Sequence, residues 1–119
     1  MFRVSEEIAK KEGCACLVTG ENLGQVASQT LDNMTVAESC VSIPIIRPLL
    51  CNDKQETIDL AKKIGTYKLS IEAASCCNAV PRNPVTKAHK SRIELEEKNV
   101  DVDKIVDEAV ATADVLDLS

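Results

Sequence analysis

Aromatic residues are almost missing from this chain: one phenylalanine, one tyrosine and no tryptophan among 119 residues. Any core must therefore be aliphatic, built from Ile, Leu, Val and Ala. Long apolar runs are missing as well; none approaches the roughly 18 residues needed to cross a bilayer. No charged segment followed by an apolar one opens the chain as a signal peptide would. The expectation is a soluble, cytoplasmic protein that makes no use of a membrane. Histidine occurs once, at His89, and no C-x-x-C is present, so a closed zinc site made by this chain alone is not expected.

Six cysteines in a chain of this size raise the question of a disulfide scaffold. Their positions argue otherwise. Cys14 and Cys16 alternate within an apolar stretch, and Cys40 and Cys51 flank the next one, so these four read as small buried hydrophobes in a reducing compartment. The adjacent pair Cys76-Cys77 differs because it lies in a polar, loop-like stretch. Neighbouring cysteines rarely bridge each other, since a disulfide requires a wider Cα separation.

Net charge is −5, unevenly placed. Residues 91–119 carry nine acids against three bases (Arg92, Lys98, Lys104), a charge of −6, which leaves residues 1–90 at +1. A nucleic-acid binder usually shows a dominant basic footprint, and none is present. Lys87, His89, Lys90 and Arg92 form the single basic cluster; it reads either as a solvated helix face or as a salt-sensitive contact for nucleic-acid phosphates.

At this length the chain is one domain at most, with room for a modest core. Residues 2–12 read as an amphipathic helix with Val4 and Ile8 on one face and Gly13 as its stop. Cys14–Thr19 reads as a buried strand, and Gln25 to about Cys40 as a helix with Val26, Leu31, Met34 and Ala37 inward. Val41–Ile46 is a second strand, weakened by Pro44 and closed by Pro48. Asp53-x-x-Glu56 opens a capped helix that runs to Ile64 and stops at Gly65. Residues 66–86 are irregular, with a short strand possible at Tyr67–Ile71, and helices follow at about 87–98 and 102–116. Helix-strand-helix-strand-helix implies an α/β fold with a parallel sheet. Two strands alone make a poor core, because parallel sheets depend on cover from both faces.

The most informative stretch is Leu17 to Leu31. An apolar run feeds a turn with glycines at Gly20 and Gly24, and the turn opens into a helix, as in the small-molecule sites of open α/β sheets. Gly20-Glu21-Asn22-Leu23-Gly24 is neither a Rossmann G-x-G-x-x-G nor a P-loop. From the pattern alone it is either a ligand site or an ordinary strand-to-helix turn. The literal residues say more. Thr19-Gly20-Glu21-Asn22-Leu23-Gly24-Gln25-Val26-Ala27-Ser28-Gln29-Thr30 closely resembles the nucleotide-binding segment of the tRNA 4-thiouridine synthetases. These are sulfurtransferases with a PP-loop ATP pyrophosphatase domain, tied in some organisms to thiamine biosynthesis. The resemblance continues through Ile46-Arg47-Pro48-Leu49, Asp53-Lys54, Ile64-Gly65-Thr66 and Cys77 to Pro84-Val85-Thr86-Lys87-Ala88, at matching spacings over nearly the whole chain.

This resemblance implies the C-terminal half of a doubly wound, parallel-sheet domain of the adenine nucleotide alpha hydrolase-like kind. Residues 1–86 would be a partial PP-loop synthetase domain and residues 87–119 its C-terminal helical extension. The family's Ser-Gly-Gly-x-Asp-Ser loop has no counterpart here, so the isolated chain is expected to be inactive. Archaeal members carry a C-x-x-C pair that would fall just upstream of Met1, and the absence of a rhodanese segment makes the archaeal type the closer analogy.

By the same resemblance, Gly20 and Gln29 match positions that touch ATP; Glu21, Gly24 and Gln25 lie near that pocket without an assigned role. Cys77, seven residues before Pro84, matches the family's essential cysteine. The implied chemistry adenylates a tRNA uridine with ATP and magnesium, after which a persulfide or sulfide displaces AMP. In archaeal members the cysteine matching Cys77 is connected with an iron–sulfur cluster, which here would need the upstream cysteines. Implied partners are tRNA, held mainly by N-terminal modules, the N-terminal half of the synthetase domain, and a sulfur donor. Self-association through an unpaired sheet edge is also expected. Two other classes stay open: a non-enzymatic nucleotide- or partner-binding α/β module, and a small thiol redox protein centred on Cys76-Cys77. Arg47, between Ile46 and Pro48, is expected to be buried and paired with a carboxylate or carbonyls.

Overall fold

The computed structural model describes residues 1–72 and 83–116. Its first helix, α1 (Phe2–Lys11), has Lys10 and Lys11 in its last turn, where cations suit the negative end of the helix dipole, and Gly13 follows at φ +69°. Two short strands, β1 (Leu17–Val18) and β2 (Ile45–Ile46), pair in parallel with Leu17 opposite Ile45 and Val18 opposite Ile46. The ladder starts where Leu17 N–H donates to the Pro44 carbonyl (2.8 Å) and ends where Thr19 N–H donates to Ile46 (3.0 Å). Between the strands lies α2 (Leu31–Glu38), so β1, α2 and β2 form one parallel crossover unit.

Helix α3 (Lys54–Lys63) is fixed by its cap. Asp53 Oδ1 accepts from Glu56 N–H and Glu56 Oε2 accepts from Asp53 N–H, each at 2.8 Å, and Gly65 at φ +83° closes the far end. Next come α4 (Tyr67–Glu72), α5 (Lys90–Glu97) and α6 (Val102–Ala111), the last capped by Asp101 Oδ1 on Lys104 N–H. The order helix-strand-helix-strand-helix and the parallel α/β class agree with the sequence reading.

Several details differ from it. The stretch Tyr67–Ile71, read as a possible strand, is helical in α4. The helix expected from Gln25 starts only at Leu31, because Thr30 Oγ1 caps it through Asn33 N–H (3.2 Å) and the preceding residues form turns. Of Val26, Leu31, Met34 and Ala37, only Met34 is buried. The strand expected over Cys14–Thr19 is reduced to two residues and is not buried: Cys14 is exposed, and so is Val18. The cysteines likewise depart from the buried role: Cys14 and Cys51 are exposed, and Cys16 and Cys40 are half-buried.

The core is correspondingly thin. Among the described residues, Ala9 and Met34 are the buried apolar side chains, joined by buried Glu6 and Asn22. Accessible surface is 9486 Å², against about 6,300 Å² for a compact monomer of this mass. Paired Val18 and Ile46 are 66% and 50% exposed, so one face of the sheet stands uncovered. On the other side α1 packs on β1 and α6. Polar ties complete this side: the Glu6 carboxylate accepts from Ser42 N–H (2.7 Å), Ser42 Oγ (2.6 Å) and Ile43 N–H (3.0 Å), and Arg3 meets Glu97 bidentately at 2.8 and 2.9 Å.

Candidate functional site

The carboxyl ends of the two strands are where a parallel sheet offers a ligand site, and a half-buried ion cluster sits there. Arg47, one residue past β2, donates from Nε to Glu21 Oε2 (2.8 Å) and from Nη1 to Glu38 Oε2 (2.7 Å), with its side chain only 10% exposed. Burial works against the charge on Arg47, but the hydrogen bonds to Glu38 and Glu21 outweigh it and hold its pKa above the ordinary value. Thr19 Oγ1, one residue past β1, donates to Glu21 Oε2 (3.2 Å). The guanidinium thus joins the Gly20 turn, the end of α2 and the exit of β2. The expected pairing of Arg47 with carboxylates holds, but the residue is half-buried rather than buried. Its Nη2 is buried without a partner among the described residues.

The turn itself is pinned from the other side. Asn22, buried, donates its amide to the carbonyls of Leu49 (2.7 Å) and Asn52, and Leu23 N–H donates to Leu50 (2.9 Å). Gly24, at φ +76°, donates its N–H to the Gln29 carbonyl (2.8 Å), closing a compact loop. Beside this loop a polar cleft of about 360 Å³ opens between Asn22, Gly24 and Gln25 on one wall and Asn52, Asp53 and Lys54 on the other. A more apolar cleft of about 350 Å³ lies elsewhere, between α1, α2 and α5, with Arg3, Cys40, Ile93 and Glu97 in its walls.

Downstream, one side chain gathers three parts of the chain. Asn33, in the first turn of α2, donates its amide to the carbonyls of Ser28 (2.8 Å) and Val85 (2.6 Å), and its Oδ1 accepts from Ala88 N–H (2.8 Å). Thr30 Oγ1 donates to the Thr86 carbonyl (2.7 Å). Residues 85–88 are thereby fastened to the loop that precedes α2.

Of the sequence-predicted site residues, Gly20 is exposed at the end of β1, with an ordinary negative-φ backbone and nothing within 4 Å of where a Cβ would stand. Gln29 is half-buried, and its Oε1 is buried without a partner among the described residues. It lies two residues before α2 rather than a turn inside it, which corrects the sequence reading. Gly20 and Gln29 belong to one loop but share no hydrogen bond among the described residues. Cys76 and Cys77 lie outside the described residues. Lys87, His89, Lys90 and Arg92 are exposed around the start of α5. Among the described residues no group of His, Cys, Asp or Glu could hold a metal ion, and no helix is long and apolar enough to cross a membrane. Sequence reasoning missed Asn22 and Asn33: an asparagine beside a turn or in a first helical turn reads as a cap, and its long-range partners leave no local signal.

Comparison with known proteins covers nearly the whole chain. A "Probable tRNA sulfurtransferase" of Methanosarcina mazei is 49% identical over 118 residues, covering 99% of this chain and 29% of that protein. One of the same name from Acetivibrio thermocellus is 43% identical over 121 residues, covering 100% of this chain and 31% of that protein. A crystal structure described as a 4-thiouridine synthetase–RNA complex with bound ATP is similar with a TM-score of 0.86 and 44% identity, over 94% of this chain and 30% of that one. The chain therefore spans about 30% of the length of these relatives. The model of the family described as "Thiamine biosynthesis protein (ThiI)" matches residues 1–102. On that match and these identities, the chain belongs to the thiamine biosynthesis protein (ThiI) family.

Proposed function

We propose that the chain is part of an ATP-dependent tRNA sulfurtransferase of the PP-loop type, acting in the cytoplasm, in which the Gly20–Gln29 loop holds the adenine nucleotide. Residues 1–86 form part of the synthetase domain and residues 87–119 its helical extension. The observation that carries this reading is the likeness, over 94% of the chain, to a 4-thiouridine synthetase described with RNA and ATP. Local geometry supports it. Gly20 leaves its backbone open to a ligand, and the orphaned Gln29 Oε1 is a desolvated acceptor, a state that costs free energy until a donor reaches it.

In this reading the O4 oxygen of a tRNA uridine attacks the α-phosphorus of ATP and pyrophosphate leaves. A sulfide sulfur from the donor then attacks C4, and AMP departs with the oxygen. Where the donor is a persulfide, its terminal sulfur attacks C4, AMP departs, and a thiolate then breaks the remaining S–S bond, leaving sulfur on C4 and carrying the donor sulfur away as a disulfide. Cys77 serves the sulfur-transfer step. Magnesium would accompany the nucleotide; the described residues supply no donor set for it or for an iron–sulfur cluster, so no step is assigned to either on this chain. The exposed cations Lys87, Lys90 and Arg92, with His89 among them, lie where tRNA phosphates could be met, with most of the grip supplied by N-terminal modules. The uncovered Val18–Ile46 face is the seat of the N-terminal half of the synthetase domain. That same face favours a second reading, a non-enzymatic module that docks on a partner through its sheet.

The test is 4-thiouridine formation on unmodified tRNA with ATP and a sulfide source, the N-terminal half of the domain being supplied in trans. Activity is expected with the combined halves, none with the chain alone, and loss with Cys77→Ser. Association of the halves without activity would turn the assignment to the binding module.

A further inference from the structure

We propose that Asn33 is a positioning residue for Gln29, fixing the nucleotide-facing loop by bracing it on residues 85–88; the inference rests on the nucleotide reading above. Among the described residues Gln29 is held by its backbone alone: its N–H donates to Val26 (2.9 Å) and its carbonyl accepts from Gly24 (2.8 Å). Its chain neighbours Ser28 and Thr30 belong to the Asn33 network. The Ser28 carbonyl accepts from the Asn33 amide, and the Thr30 hydroxyl accepts from Asn33 N–H while donating to Thr86. The same amide donates to Val85, and Asn33 Oδ1 takes the Ala88 N–H. Asn33 thereby uses both amide hydrogens and its oxygen, leaving it little freedom to rotate.

The bonds run between segments more than fifty residues apart, from the 28–33 stretch to 85–88. Local capping of α2 needs only Thr30 and the Asn33 N–H, so the side chain of Asn33 is surplus to the helix and acts on the loop. What the loop carries at its end, among the described residues, is an acceptor without a donor, Gln29 Oε1. An acceptor calls for a hydrogen-bond donor on the ligand, which a nucleotide offers at its base amine or ribose hydroxyls and not at its ionised phosphates. A single directional bond of that kind depends on placement to within a fraction of an ångström.

The experiment is a double-mutant cycle of Asn33→Ala and Gln29→Ala in the chain combined with the N-terminal half of the domain, following pyrophosphate release from ATP with unmodified tRNA. Each single change is expected to raise KM for ATP about tenfold with kcat within about threefold, and the double variant to be no worse than the worse single. A merely structural asparagine would lower the thermal midpoint and the active fraction while leaving KM unchanged, and that result overturns the proposal. Additive effects overturn it too. Should Asn33→Ala not fold, Asn33→Asp, which keeps the Oδ1 acceptor for Ala88 N–H and the Thr30 cap while removing both amide donations, replaces it: raised KM supports the brace and unchanged KM refutes it. Wild-type protein without ATP-dependent pyrophosphate release would remove the nucleotide reading and this inference together. A Gln29→Ala effect without an Asn33→Ala effect would remove this inference alone.

Discussion

A methyl group added at Gly20 or at Gly24 meets nothing within 4 Å, yet the two glycines are not equivalent. Gly24 sits at φ +76°, which an alanine adopts only at a cost of about 1 kcal/mol, whereas Gly20 is in ordinary backbone space. Gly24→Ala should therefore lower the thermal midpoint. Gly20→Ala should leave it unchanged while weakening ATP affinity, as followed by ATP titration of the reconstituted domain. If Gly20→Ala lowers neither, the nucleotide does not approach that backbone. The buried carboxylate of Glu6 gives a second residue-scale expectation. Three hydrogen bonds, led by the Ser42 hydroxyl and N–H, bring its pKa down to about 2 from 4.5. A depressed carboxylate stabilises the fold above its unfolded pKa and loses that contribution as pH falls through the folded value. Melting temperature should fall on acidification from about pH 5 toward 2, and Glu6→Gln should flatten that part of the curve.

Between elements, the Arg47 cluster decides how β1, α2 and β2 meet. Removing the guanidinium leaves Glu21 and Glu38 facing one another without a cation, so Arg47→Met should cost about 2 kcal/mol in a denaturant titration. Glu38→Gln, on the more exposed partner, should cost less. Elements also show what could be read in advance. The Asp53–Glu56 box is a local code, and α3 follows it closely. The start of α2 is not local in the same way. Gln25, Val26, Ala27 and Gln29 suit a helix, but the Gly24 N–H donates to the Gln29 carbonyl and Thr30 supplies the cap, so the helix begins six residues later than Gln25. Tyr67, Leu69 and Ile71 alternate as a strand does, in a segment too short for period alone to decide. Gly20 and Gln29 stand out in the sequence as candidates for the site through their literal neighbours. Asn33 does not, because its partners at 85–88 are set by tertiary approach.

Taken whole, the molecule has more surface than its mass warrants, with a radius of gyration of 16.3 Å against about 13.5 Å for a compact chain of this length. Val18, Val26, Leu31 and Ile46 are among the exposed aliphatic side chains. Alone in solution, the chain should show a weight-average mass that rises with concentration in sedimentation, and the N-terminal half should convert it to a one-to-one complex. A concentration-independent monomer indifferent to that half would refute the docking role of the sheet face. The end-to-end clasp has a further consequence, for synthesis. Arg3 waits for a partner 94 positions later, and α1 rests on α6. On the ribosome, β1 and Ser42 reach α1 early but Glu97 and α6 only late, so this flank closes last, and a translational pause before residue 97 would leave that side of the nascent helix open to chaperones or to wrong neighbours.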